Sequence, residues 1–192
     1  MAITLMNISR SFFNSSALAI MLIAPALLGC SSAQATTNQQ TEAINKIRKL
    51  LELPELPLEF VEKTGMINSP SGDLEVALYQ DSDGRKYFVN PETNQVVEID
   101  ARMILSNISP NAPTLSADEL KAKSMEYIRA TISDFDSLQS SWQYEEGIKG
   151  DNYFFSWYGE AILGSMNRPF AQIGLHKSGM LFAYYNTILL EK

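Results

Sequence analysis

Cysteine and histidine are almost missing from this chain: its 192 residues include one of each, Cys30 and His176. A Ser-His-Asp triad would have to use His176. That residue opens the predicted turn His176-Lys177-Ser178-Gly179, beside a lysine and with no neighbouring acid. It reads as an exposed turn residue rather than a base. Zinc is equally poorly served, because one histidine without a second thiolate leaves only scattered carboxylates as ligands. Basic runs are lacking too, and the formal charge is −7. Phosphate backbones are held by clustered Lys and Arg, so no nucleic-acid partner is expected, and no cofactor or metal either. Long apolar runs are also absent. The longest, about residues 17–28, falls short of the roughly 20 residues that a membrane-spanning helix requires.

What is present starts with that run. Arg10 is the only charge ahead of it, and Leu27-Leu28-Gly29-Cys30 closes it. A weakly basic start, a short apolar core and a small residue before the break form the pattern of an export signal, here residues 1–29. The closing four residues resemble the bacterial lipobox. That resemblance implies diacylglycerol on the Cys30 thiol, cleavage before Cys30, and acylation of the new amino terminus by a chain such as palmitate. A secretory signal cut after Ser32-Ala33-Gln34-Ala35 is the alternative, and it would discard Cys30. Both imply export. Ser31 stands where aspartate would resemble an inner-membrane retention signal, so the periplasmic face of an outer membrane is favoured if the host has two membranes.

From Cys30 onward 163 residues remain, with 14 basic and 22 acidic side chains and a net charge of −8. An acidic surface repels anionic headgroups, so membrane contact is expected through the lipid alone. With Cys30 acylated or removed, no thiol is left for catalysis or for a disulfide. Stability then rests on an apolar core, which the 45% hydrophobic content can supply.

Residues 30–40 are small and polar and read as a flexible tether, with a reach of about 17–19 Å for ten residues. Ile44, Ile47 and Leu51 then recur at helical spacing, until Pro54 and Pro57 forbid continuation. Extended segments are predicted at 58–61, 74–80, 86–90 and 95–100, with turns at Asp81-Ser82-Asp83-Gly84 and Pro91-Glu92-Thr93-Asn94. A linker at 101–115 follows, and the order then repeats. Ser116 with Glu119 forms a capping box that opens a helix to about Ile132, with Ala117, Leu120, Tyr127 and Ile128 on one face. Strands are predicted at 140–145, 152–158, 170–175 and 180–186. The expected fold is α+β: two tandem units, 41–100 and 116–192, each a helix plus an antiparallel meander, with the helices covering one sheet face.

Tyr153-Phe154-Phe155-x-Trp157, Arg168-Pro169-Phe170 and a Ser-Gly turn before Phe182-x-Tyr184 resemble the PepSY superfamily, in its YcdB/YcdC-like branch. Lys86-Tyr87-Phe88-Val89-Asn90-Pro91 and Gln95-Val96-Val97-Glu98-Ile99-Asp100 are similar to the closing hairpin of such a unit. The resemblance implies a non-catalytic, exported or membrane-tethered module found beside peptidases and suspected of holding them inactive. It brings no catalytic residue.

The remaining candidates are acids and rings. Asp81-Ser82-Asp83-Gly84 has Arg85 and Lys86 where a calcium loop needs an acid or amide and then glycine, so it reads as a turn. Glu145 and Glu146 are adjacent on a strand and point to opposite faces, so they cannot converge on one bond. Alternation puts Tyr153, Phe155 and Trp157 on one face and Phe154, Ser156 and Tyr158 on the other. One set would lie beneath the helices, joined by Trp142 and Tyr144. An uncovered set with Arg168 nearby would suit a peptide, a sugar or a partner's side chains. Trp142, Tyr144, Trp157, Tyr158 and Arg168 are therefore the candidate binding residues, and Cys30 the lipidation site. The expected activity is binding of an envelope protein or peptide, a peptidase included. The alternatives are a hydrolase of wall sugars or peptides using two carboxylates about 5–9.5 Å apart, and an envelope sensor or assembly accessory.

Overall fold

The computed structural model describes residues 29–69, 72–160 and 168–188, with side chains from Thr37 onward except those of 63–66 and 68–69. The export-signal segment, apart from Gly29, and the Cys30 side chain lie outside the described residues. The chain is α+β, with helices packed on one eight-stranded antiparallel sheet. In chain order these are α1 (Gly29–Leu50), β1 (Leu58–Ser69), β2 (Gly72–Asp81), β3 (Lys86–Val89), β4 (Val96–Asp100), a 3₁₀ helix at Arg102–Asn107, α2 (Ala117–Thr131), α3 (Phe135–Leu138), β5 (Gln143–Lys149), β6 (Asn152–Tyr158), β7 (Phe170–His176) and β8 (Leu181–Asn186). The sheet runs β1-β2-β3-β4-β8-β7-β6-β5. Each meander thus ends at the centre, where β4 pairs with β8, and each begins at an edge.

Alternation explains the two faces. Ala77, Tyr79, Tyr87, Val89, Ile99, Phe155, Trp157, Ala171, Ile173, Leu175 and Tyr184 point toward the helices and share one core with Ile44, Ile47 and Leu51 of α1 and Leu120, Tyr127 and Ile128 of α2. A smaller cluster of Ile67, Val76 and Val97, with Phe88 and Tyr185 against it, lies on the opposite face. The helix-plus-meander order was legible from turn chemistry. Asn94 and Gly179 close matching hairpins with φ of 57° and 83°, a backbone region open to Asn and Gly. A Cβ on Gly179 would also meet Leu115 Cδ1 at 2.8 Å. Ser116 caps α2 reciprocally: its Oγ accepts from Glu119 N at 3.3 Å while Glu119 Oε2 accepts from Ser116 N at 2.7 Å.

Three local readings are corrected. Residues 30–40 are helical, not a free tether, because α1 already starts at Gly29. No Gly or Pro interrupts 30–50, and polar side chains tie this turn down: Tyr79 Oη donates to Gln40 Oε1 at 2.6 Å, and Asn94 Nδ2 to Gln39 Oε1 at 3.3 Å. The first helix therefore opens before residue 41. The linker 101–115 includes the 3₁₀ helix, and the strand expected from residue 140 starts at Gln143 because helical turns with hydroxyl-to-carbonyl bonds occupy 135–141.

The turn read only for its backbone holds a buried ionic cluster. Asp81 Oδ2 accepts from Arg48 Nη2 at 3.3 Å, Arg85 Nη1 at 3.3 Å and Tyr87 Oη at 3.0 Å, while Oδ1 takes the backbone N–H of Asp83 and Arg85 at 3.0 Å each. Arg48, fully buried, also donates to Leu56 O at 2.8 Å and lies 4.6 Å from the centre of the Tyr87 ring. This clamp fastens α1 to the β2–β3 hairpin. Burial raises the Tyr87 hydroxyl to about 12, so it stays a donor. Removing one partner of a buried ion pair costs about 3–5 kcal/mol, because the other is left uncompensated. Asp81→Ala, which strands two guanidinium groups, is expected to lower unfolding free energy by about that amount in urea denaturation, against a small effect for the exposed Asp136→Ala.

Candidate functional site

Among the described residues neither α1 nor α2 packs on the far face of the second meander, and only the 3₁₀ helix borders it, through Arg102 and Leu105 beside β8. Cross-strand pairing there sets up two parallel rows of side chains. One row reads Phe88, Glu98, Tyr185, Gln172, Ser156 and Glu145, from β3 to β5. The next reads Lys86, Asp100, Ala183, Gly174 and Phe154. Small residues in the middle of the second row leave a depression. Gly174 is required there, because a Cβ would come within 2.9 Å of both Ala183 Cβ and the Phe182 ring. The resulting groove measures about 550 Å³, larger than the hollows of about 210 Å³ beside α1 and 400 Å³ beside β1.

Its walls are rings. Phe154 meets Phe182 edge-on at 5.3 Å and Phe170 reaches Tyr185 at 5.4 Å, while Tyr158, outside the lining, stacks on Phe170 at 4.9 Å. Phe182 is buried, whereas Phe154, Tyr158, Phe170 and Tyr185 are partly exposed and offer contact surface that loses little entropy on burial. Gln172 Nε2 donates to Ser156 Oγ at 2.9 Å, spanning β7 and β6. Arg168 extends the strip. Its guanidinium lies 6.0 Å from the centre of the Tyr158 ring, and it donates to Gly159 O and to Gln143 Oε1 at 3.2 and 3.3 Å.

The floor carries two acids in opposite conditions. Asp100 is gripped by Arg102: Oδ1 accepts from the backbone N–H and Nε, and Oδ2 from Nη2 at 2.7 Å. That grip holds its carboxyl below the usual range. Burial first, and the Asp100 charge second, push Glu98 up, and Arg102 offsets this only in part. Neither effect on Glu98 is a hydrogen bond, and among the described residues no donor bonds its carboxyl. Burial and then the Glu98 charge raise the Tyr185 hydroxyl to about 12.

The five candidate binding residues divide between the faces. Tyr158 and Arg168 come together on the open face. Trp142, Tyr144 and Trp157 instead belong with the helix-side core: Phe135 meets Trp142 at 5.8 Å and Trp157 at 5.6 Å, and Tyr144 meets Trp157 at 5.5 Å. Trp157 is 2% exposed and out of a ligand's reach, while Lys121 sits over the Tyr144 ring at 4.9 Å. Sequence reading passed over Glu98, Asp100, Arg102, Phe170, Gln172 and Tyr185. Glu98 and Asp100 flank Ile99, and this acid-apolar-acid alternation on an otherwise apolar strand was the available signal. His176 Nδ1 is engaged locally, accepting from Ser178 N at 3.1 Å. Among the described residues no group of three His, Cys, Asp or Glu side chains could hold a metal, and no helix is long and apolar enough to cross a membrane.

Comparison with protein-family models, curated proteins and solved structures returns no match.

Because Glu98 has a raised pKa in the fold, its ionisation costs stability as pH rises from the ordinary carboxylate range through that raised value. Glu98→Gln is accordingly expected to melt higher than the parent at pH 7. Its advantage should vanish in acid below the ordinary range, where Glu98 is protonated in both folded and unfolded chains. Thermal melts across this interval check the sign.

Proposed function

We propose that this chain is a binding module of the bacterial cell envelope, made of two tandem PepSY-like units and anchored by lipid on Cys30. It grips an envelope protein or peptide, a peptidase being one candidate, through the open face of its sheet. The palindromic strand order supports the tandem reading, since each half is a helix followed by a four-strand meander. The observation that carries the binding reading is the ring-walled groove on that face, which no element of the described chain covers. Rings with polar edges beside arginine are the residues that dominate interface energies.

Photo-crosslinking in intact envelopes tests it. A reporter amino acid at Gln172 is expected to capture a reproducible partner, and Phe154→Ala with Tyr158→Ala to lower capture at least tenfold, as befits the loss of two hot-spot rings at about 2 kcal/mol or more each. Capture of nothing, or capture indifferent to both rings, overturns the reading. The anchor has its own check. Intact mass after detergent extraction should give a chain starting at Cys30 with fatty-acyl additions, whereas a lipid-free chain starting near Thr36 would refute it.

One observation favours a hydrolase instead. Glu98 and Asp100 lie two residues apart on one strand face, about 7 Å by the strand rise. That is within the range of glycosidase pairs, and their opposite protonation tendencies suit acid and base roles. Against it, Arg102 engages both Asp100 oxygens, which leaves little basicity for activating water. Release of reducing ends from wall glycan, lost in both Glu98→Gln and Asp100→Asn, would select this reading over binding.

A further inference from the structure

Glu98 is the unfinished element of the groove. Phe88 and Tyr185 stand directly opposite it on the neighbouring strands. Cross-strand partners have Cβ atoms about 4.5–5.5 Å apart, so both rings flank the carboxylate. The cation that acts on Glu98, Arg102, is committed to Asp100 by two guanidinium hydrogen bonds. Lys86 on β3 acts on Asp100, and Lys149 lines the groove without being among the charges that act on Glu98. A half-buried carboxylate that no described donor bonds offers an acceptor to an incoming cation. Aromatic faces beside it carry negative quadrupole charge and attract a cation.

These features choose among occupants. An anion would meet Glu98 with like charge. A neutral group would desolvate the carboxylate without compensation. A guanidinium asks for two parallel acceptors, and the second acid is already taken. A compact ammonium needs one acceptor and gains from rings on either side.

The geometry points to an ammonium-binding subsite at Glu98: the groove, which Glu98 and Tyr185 line, receives a partner segment that presents a lysine-type alkylammonium against the Tyr185 ring, with Phe88 on the other side of the carboxylate. The subsite rests on the open-face binding reading and states what the partner must carry.

The test is an amide NMR titration of the full mature chain with Nα-acetyl-lysine methylamide, against its norleucine and Nζ-acetyl-lysine counterparts. Perturbed amides should centre on β4 and β8. Affinity for the lysine probe is expected to exceed that for either control by about tenfold or more, and to fall by about as much in Glu98→Gln. Tyr185→Leu, which keeps bulk and removes the ring, should weaken the probe with the carboxylate intact. Binding by the parent should decline as acid protonates Glu98, with Asp100, Arg102, Lys86 and Tyr185 as the facing groups, and the pH profile of Glu98→Gln should be flat. Equal affinity for the norleucine control, unchanged affinity in Glu98→Gln, or no perturbation by any probe overturns the subsite. Should Glu98→Gln still capture the envelope partner as the parent does, the subsite fails alone. Should capture ignore the Phe154 and Tyr158 rings, the open-face reading fails as well.

Discussion

The pairing of β4 with β8 is the constraint on which everything else depends. It consists of three residue pairs, Glu98 with Tyr185, Ile99 with Tyr184 and Asp100 with Ala183, and it joins the two meanders into one sheet. Its middle pair faces the helix-side core and is wholly buried, which gives the seam a large apolar contribution for its length. Its outer pairs face the groove. Each half therefore holds part of the candidate site, the acids and Phe88 from the first and the other rings from the second, and neither could form it alone.

The two faces are finished by different means. On one, α1 and α2 bury the aliphatic and aromatic rows, and the Arg48–Asp81–Arg85 cluster fixes where α1 sits. A buried ionic cluster adds little net stability over apolar packing, but it penalises any other placement, because a displaced helix would leave charges unpaired. On the other face the Phe182 ring packs against Gly174. Trp142 and Trp157 lie on the first face, where α3 brings Phe135 against both, and Tyr144 packs there on Trp157.

Much of this was legible in the chain. The turns at Asn94 and Gly179, the Ser116 cap and the alternation along Tyr153–Tyr158 report local geometry directly, so strand order within each half could be read. Which face of β6 the helices would cover could not, because both carry aromatics and the choice depends on how distant segments dock. Residues 30–40 misled for a related reason: small polar residues favour no structure by themselves, and their helix is held by Tyr79 and Asn94 from other elements. Asp81 appeared as turn chemistry, since Arg48, one of its two counter-charges, lies 33 residues earlier. Glu98 and Asp100 became neighbours of the ring strip only through the central seam, a long-range pairing invisible to periodicity.

An open sheet has two ends, and here they differ. β1 carries register irregularities between Phe60 and Glu62 and between Thr64 and Met66, and β5 sets Glu145, Glu146 and Lys149 along the opposite rim. Kinks and charges on outer strands deter another chain from extending the hydrogen-bond ladder. The chain can therefore leave one broad sheet face bare of long helices without offering its rims as templates for fibrils.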